Sequence, residues 1–85
     1  MRYQIKYLKE AVEQLAKIPR NIRNGILRAI DERLAVHPEL FKPLKGDLVG
    51  SYRLRVGKYR VIYKINNGSV TVLIIRVNVR GCVYK

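Results

Sequence analysis

The chain has a single cysteine, Cys82, so no disulfide can close within it and no cysteine-based metal cluster can be assembled. It has no long apolar run: the longest, Val70 to Ile75, is interrupted by a threonine and falls far short of the ~20 residues that a spanning helix needs. The opening residues, Met1-Arg2-Tyr3-Gln4-Ile5-Lys6, alternate polar and apolar side chains and lack the apolar stretch of a secretory signal. A cytoplasmic protein with no membrane partner is expected. There is no glycine-rich phosphate loop, carboxylate pair or metal-ligand cluster, so neither metal nor cofactor is expected. Acidic residues are also scarce, and after Asp47 there are none.

What stands in their place is basic. Arg53, Arg55, Lys58, Arg60, Lys64, Arg76, Arg80 and Lys85 follow Asp47, several of them alternating with apolar residues. Over the 85 residues, 18 Lys and Arg against 6 Asp and Glu give a formal net charge of +12. A charge of that size speaks to attraction for a polyanion, nucleic acid or anionic lipid, and says nothing directly about fold. The six carboxylates lie between Glu10 and Asp47, interleaved with bases, so the first half is an ordinary mixed-charge surface. A hydrophobic content of 48% argues against disorder, and the length leaves room for one core; residues 1–85 read as a single domain.

Periodicity divides the chain. Arg2 to Tyr7 is a short strand candidate. Leu8, Ala11, Val12, Leu15 and Ala16 then recur at helical spacing, Pro19 suits the first turn of a second helix, and Ile22, Ile26, Ile30 and Leu34 form one row that should stop before Pro38. After a loop over Pro38 to Gly50 the period becomes two. Tyr52–Val56, Tyr59–Ile65 and Val70–Val77 read as strands, joined by turns at Gly57-Lys58 and Asn67-Gly68. The expected fold is α+β: an N-terminal strand, a helical hairpin, then a three-stranded antiparallel meander with the helices on one sheet face.

Counting back from the turns fixes the faces. A Gly57-Lys58 loop pairs Val56 with Tyr59, Arg55 with Arg60, Leu54 with Val61, Arg53 with Ile62 and Tyr52 with Tyr63. Tyr52, Tyr59 and Tyr63 then face the helices as packing residues, while Arg53, Arg55, Arg60 and Lys64 face away. Arg55 opposite Arg60 is a like-charge pair, destabilising unless an anion lies between them. An Asn67-Gly68 loop pairs Ile65 with Val70 and Ile62 with Leu73, so Ile62, Leu73, Ile75 and Val77 are expected as an exposed apolar strip that a protein partner buries. Arg76 is expected on the helix side, and His37 as a helix-end residue.

The segment Lys42-Pro43-Leu44-Lys45-Gly46, the strand pair from Tyr52 through Tyr63, and the run Val70 to Arg80 with Val83-Tyr84 resemble the RelE/ParE toxin superfamily, RelE most of all. The likeness spans essentially the whole chain. It implies the toxin of a type II toxin–antitoxin module: a ribosome-dependent endoribonuclease that cleaves messenger RNA in the A site, inhibits translation, and is held inactive by a RelB-like antitoxin. Operator DNA would be reached only through that antitoxin. The resemblance assigns Arg60 to bracing the phosphate, Arg80 to the phosphate or leaving group, Tyr84 to stacking or base catalysis, and Arg53, Arg55 and Lys45 to basic positions around the substrate.

Three positions depart from the family pattern. Arg53 and Arg55 stand where RelE proteins often have lysine, and a guanidinium stays charged and cannot serve as a general base. That moves the base role toward Tyr84, whose phenolate the cations of Arg55, Arg60 and Arg80 would favour. Val79 stands where several relatives place histidine or lysine, removing another acid–base group. Two further classes share the basic face: a ParE-like inhibitor of DNA gyrase, and a nucleic-acid-binding or corepressor module without catalysis.

Overall fold

The computed structural model describes residues 2–43 and 50–79. Lys45, Arg80 and Tyr84, three of the candidate site residues, lie outside them. The elements run β1 (Gln4–Tyr7), α1 (Lys9–Ala16), α2 (Arg20–Ala29), β2 (Lys42–Pro43), β3 (Ser51–Val56), β4 (Tyr59–Asn66) and β5 (Thr71–Val79). The strands form one mixed sheet in the order β1-β5-β4-β3-β2. The α+β expectation therefore holds, with two additions. The N-terminal strand lies parallel to β5, and the two-residue β2 pairs with β3 at the opposite edge.

Each helix forms for a local reason and covers less than its stripe would allow. α1 starts where the Leu8 N–H donates to the Ile74 carbonyl at 2.9 Å, which ends β1 and turns the chain over the sheet. Of its four apolar positions, Ala11, Val12, Leu15 and Ala16, only Ala11 and Leu15 are buried. Pro19 sits just ahead of α2 and its carbonyl accepts the Arg23 N–H at 2.8 Å; proline there forfeits only a donor that a helix start leaves unpaired anyway. Ile26, Ile30 and Leu34 are fully buried, and the helix widens into a π-turn over Ile30–Leu34 before the chain reaches Pro38.

These residues meet Leu54, Val61, Tyr63, Val72 and Ile74 from the sheet to make the core. Truncating any of its large aliphatic members to alanine should cost about 2–5 kcal/mol, a large share of the stability of so small a domain. The tyrosines pack as expected. Tyr63 is fully buried, donates its hydroxyl to the Pro38 carbonyl at 2.6 Å, and stacks on Tyr52 with ring centroids 5.7 Å apart.

The β3–β4 hairpin has the expected register at all five pairs, from Val56↔Tyr59 to Tyr52↔Tyr63. The β4–β5 hairpin corrects the expected register twice. Its loop spans four residues rather than two, with the Ser69 N–H tied to Asn66 Oδ1 at 3.1 Å, so Ile65 pairs with Val72 and not with Val70. A two-residue slip keeps every side chain on its face. A bulge between Tyr63 and Ile62 then adds Ile75 to β5, so that Ile62 pairs with Arg76, Val61 with Val77 and Arg60 with Asn78. One extra residue exchanges the faces of everything beyond it.

Consequently Val77 belongs to the core, 3% exposed, and Arg76 shares the outward face with Ile62. The exposed strip of Ile62, Leu73, Ile75 and Val77 does not form. Ile62 is itself only 3% exposed, and Leu73 and Ile75 are half-buried.

Candidate nucleic-acid interface

The face of the sheet turned away from the helices is organised in rows across the strands. The first row is Arg55, Arg60 and Asn78, and the second is Arg53, Ile62 and Arg76. The third is Lys64, Leu73 and Lys6. Plain alternation along β3 and β4 supplies Arg53, Arg55, Arg60 and Lys64. The expected like-charge pair is real, with Arg55 directly opposite Arg60. Arg53 and Arg60 are half-buried and Arg55 is exposed, and the Arg60 Nε is itself buried. Partial desolvation strengthens the hold of such a group on an anion.

The bulge contributes two groups that alternation did not reveal. Arg76 lies beside Ile62, its Nε 3.4 Å from Glu10 Oε2 across the sheet edge, where both side chains remain substantially exposed. Asn78 lies beside Arg60, and its Nδ2 is buried with no acceptor among the described residues. A buried amide donor left without a partner costs about 1–3 kcal/mol. An anionic oxygen reaching Arg60 and Asn78 together would satisfy it. No sequence signal announces Asn78, because its face depends on the extra residue at Ile75.

The edge of β5 beyond β1 is closed by a side chain. Gln14 Oε1 accepts the Val77 N–H at 2.7 Å, which ties α1 to the strand where it carries Arg76 and Asn78. The arrangement fixes the second half of β5 without adding charge to it.

Tyr63 and the half-buried Tyr7 do not supply a base. Burial pushes the Tyr63 hydroxyl well above its ordinary range, with Tyr52 and Glu39 adding to the shift, and burial followed by the Asp31 charge raises Tyr7. Both stay protonated at neutral pH, and the Tyr63 proton is already donated to Pro38.

Apolar surface is exposed on the other side of the molecule. Leu8, Val12 and Ile22 are 40%, 51% and 37% exposed. Val12 also lines a groove of about 320 Å³ between the helices, together with Tyr7, Leu15, Ala16, Arg23 and Leu27. The chain therefore has two unlike surfaces, a cationic sheet face and an apolar inter-helix groove. No helix among the described residues is long and apolar enough to cross a membrane.

Comparison with known proteins agrees with this layout. Residues 5–83 match the family model described as the ParE toxin of the type II toxin–antitoxin system parDE. The chain is 31% identical to the toxin RelG of Mycobacterium tuberculosis over 86 residues, covering 100% of this chain and 99% of the relative. Its fold superposes with a TM-score of 0.88 on a chain of the RelBE2 toxin–antitoxin complex of the same organism, at 31% identity and covering 94% and 93% of the two chains. A chain of the archaeal RelE–RelB complex of Pyrococcus horikoshii matches with a TM-score of 0.75 at 32% identity, covering 98% and 100%.

Proposed function

The chain belongs to the ParE toxin family of type II toxin–antitoxin systems, within the RelE/ParE superfamily, and from that premise we propose that it is a metal-independent endoribonuclease cutting messenger RNA on the ribosome. The single observation that carries this reading is the row Arg55, Arg60 and Asn78. Arg55 stands opposite Arg60, Asn78 pairs with Arg60 on the other side, and the buried Asn78 amide supports a phosphate as the ligand of this row.

The chemistry follows from that donor set. In RNA the 2′-hydroxyl adjacent to each phosphate can attack phosphorus while the bond to the 5′-oxygen breaks. The reaction needs a group to take the 2′-proton, donors for the charge on the pentacoordinate phosphorus, and a proton for the departing 5′-oxygen. Arg60 and Arg55 stabilise the developing negative charge, with the Asn78 amide as a further donor, and Arg53 holds the adjoining backbone. Permanently charged guanidinium groups suit that electrostatic role and not proton removal. The base and the second phosphate ligand fall to Tyr84 and Arg80, with Lys45 contacting the substrate from its loop. Where the ribosome orients the message, positioning supplies the remainder of the barrier reduction.

The toxin's partner in the cytoplasm is an acidic RelB-like antitoxin. The relatives with solved structures support this, being found in RelBE2 and RelE–RelB complexes. The apolar surface such a partner would bury is the groove between α1 and α2, in place of the sheet strip expected from the sequence.

Primer extension on translating ribosomes tests the reading. The parent should give codon-positioned cuts, and Arg60→Ala, shown by a thermal melt to be folded, should slow them by about 10²–10³-fold, the effect of removing one transition-state donor. Absence of cuts from the parent, or loss of supercoiling activity in a gyrase assay, would remove the ribonuclease assignment.

A further inference from the structure

We propose that the cationic face has a second anion subsite, at the loop end of the sheet, in which Lys6 and Lys64 hold a backbone phosphate of the same RNA strand away from the cut. This rests on the ribonuclease reading and extends it to how the substrate is tracked. Lys6 pairs across the sheet with Leu73, and Leu73 with Lys64, so the two lysines flank one apolar side chain on the outward face. They come from opposite ends of the sequence and are brought together only because β1 lies against β5. Both are exposed, and neither forms an ion pair among the described residues.

The lysines open onto a groove of about 520 Å³ lined also by Asn66, Asn67, Thr71 and Leu73, with no carboxylate on its wall among the described residues. Two of its neutral groups, the Asn66 and Asn67 amides, can donate. Asn66 Oδ1 accepts the Ser69 N–H at 3.1 Å and Asn67 Oδ1 accepts the Tyr3 hydroxyl at 2.9 Å. Each amide therefore has its oxygen engaged and its NH2 left to offer. The hydroxyl protons of Ser69 and Thr71 are engaged within the loop, in bonds of 3.0 Å each. Two ammonium groups and two amide NH2 groups make a set that an anion satisfies and a cation does not.

Continuity with the arginine rows selects nucleic acid as the source of the anion. Arg60 and Lys64 lie four residues apart on β4, about 13 Å along a strand, and both face outward. One polyanionic backbone laid along β4 would meet the row of Arg60 first and the row of Lys64 further on.

Binding of single-stranded RNA by the parent and by a Lys6→Gln, Lys64→Gln double variant, measured as a function of salt, tests the subsite. Both positions are exposed, and a thermal melt confirms that the variant is folded. The slope of log affinity against log salt falls by about 0.7 for each phosphate charge the protein ceases to neutralise. Removing both ammonium groups, which share one phosphate, should therefore lower it by about 0.7 on a strand of ~12 nucleotides and by less on one of ~4. An unchanged slope on the longer strand overturns the subsite while leaving the cut-site reading intact. A parent that binds neither strand overturns both, at the level of the cut site. A polyglutamate peptide whose binding suffers more than RNA's assigns the groove to an acidic protein and also overturns the proposal.

Discussion

The two hairpins that share β4 are built on different rules. Between β3 and β4 the turn is two residues long, the ladder is regular, and every second residue faces the core. Between β4 and β5 the loop is four residues long, Val70 within it has φ of 51°, and a bulge at Ile75 reverses the alternation for the rest of the strand. The regular hairpin carries charge that any alternating sequence can carry. The irregular one brings Arg76 and Asn78 onto the same face from a strand whose simple pattern would have hidden them. The lesson is that a β-sheet site can be assembled by interrupting a pattern as well as by following it, and bulges are enriched beside functional sites for that reason.

The sharpest way to break this contrast is to charge both halves of β5. Leu73→Lys, before the bulge, adds a third lysine to the outward face and should fold, with a loss below about 1 kcal/mol. Val77→Lys, beyond it, forces an ammonium group into the core beside Val61 and should cost several kcal/mol, enough to unfold much of a domain with a stability of about 5–15 kcal/mol. Urea unfolding followed by circular dichroism compares them directly. Equal tolerance of the two lysines would mean that the strand runs without its bulge and that Asn78 does not lie beside Arg60.

A smaller effect probes the regular hairpin, through the Tyr52–Tyr63 stack and the Tyr63–Pro38 hydrogen bond. Tyr63→Phe keeps the stack and leaves the Pro38 carbonyl without its donor, for a loss of about 1–2 kcal/mol at neutral pH. It should also alter the alkaline limb. The folded hydroxyl is raised from its ordinary value of 10.0, chiefly by burial, so above that pH the unfolded chain loses a proton that the folded chain keeps. Stability is then fully present below about pH 10 and declines as pH rises further, since the unfolded state binds fewer protons there. In the phenylalanine variant that decline should be shallower, though Tyr7, raised in the same direction, leaves part of it. An alkaline limb identical to the parent's would show that Tyr63 is not held protonated in the folded state.

The same contrast explains what was legible in the sequence. Gly57-Lys58 states its own turn, so the faces of Arg53, Arg55 and Arg60 followed by counting. Asn67-Gly68 states a turn too, yet the Asn66 side chain captures the Ser69 N–H and the loop closes two residues wider. A bulge leaves no mark in composition, and Ile75 continues an apolar run that would suit either face. Helix positions were legible, while their exposure was not, because α1 buries only Ala11 and Leu15 of a stripe that also includes Leu8 and Val12. The place of β1 depends on a parallel pairing, Gln4 with Thr71 through Tyr7 with Ile74, between distant segments, which no local pattern encodes. The Lys6–Lys64 groove follows from that pairing and was invisible for the same reason.

The smallest effect, and the one that separates the two turns most cleanly, concerns their left-handed residues. Gly57 has φ of 59°, where glycine is at ease, and a Cβ added there would meet nothing within 4 Å. Gly57→Ala should therefore lose about 1 kcal/mol from backbone conformation alone. Val70 occupies the same region at φ 51° with a β-branched side chain, which is costly, while its carbonyl accepts the Gln4 N–H at 2.9 Å and so must stay where it is. Val70→Asn keeps that carbonyl and relieves the strain, since asparagine tolerates the left-handed region, and should gain about 0.5–1 kcal/mol, a rise in melting temperature of a few degrees for a domain of this size. The two turns thus respond with opposite sign to substitutions at equivalent backbone angles. A destabilised Val70→Asn would mean that the valine side chain contributes packing worth more than its strain, and that the wide loop is held by apolar packing rather than by the Asn66–Ser69 and Gln4–Val70 hydrogen bonds.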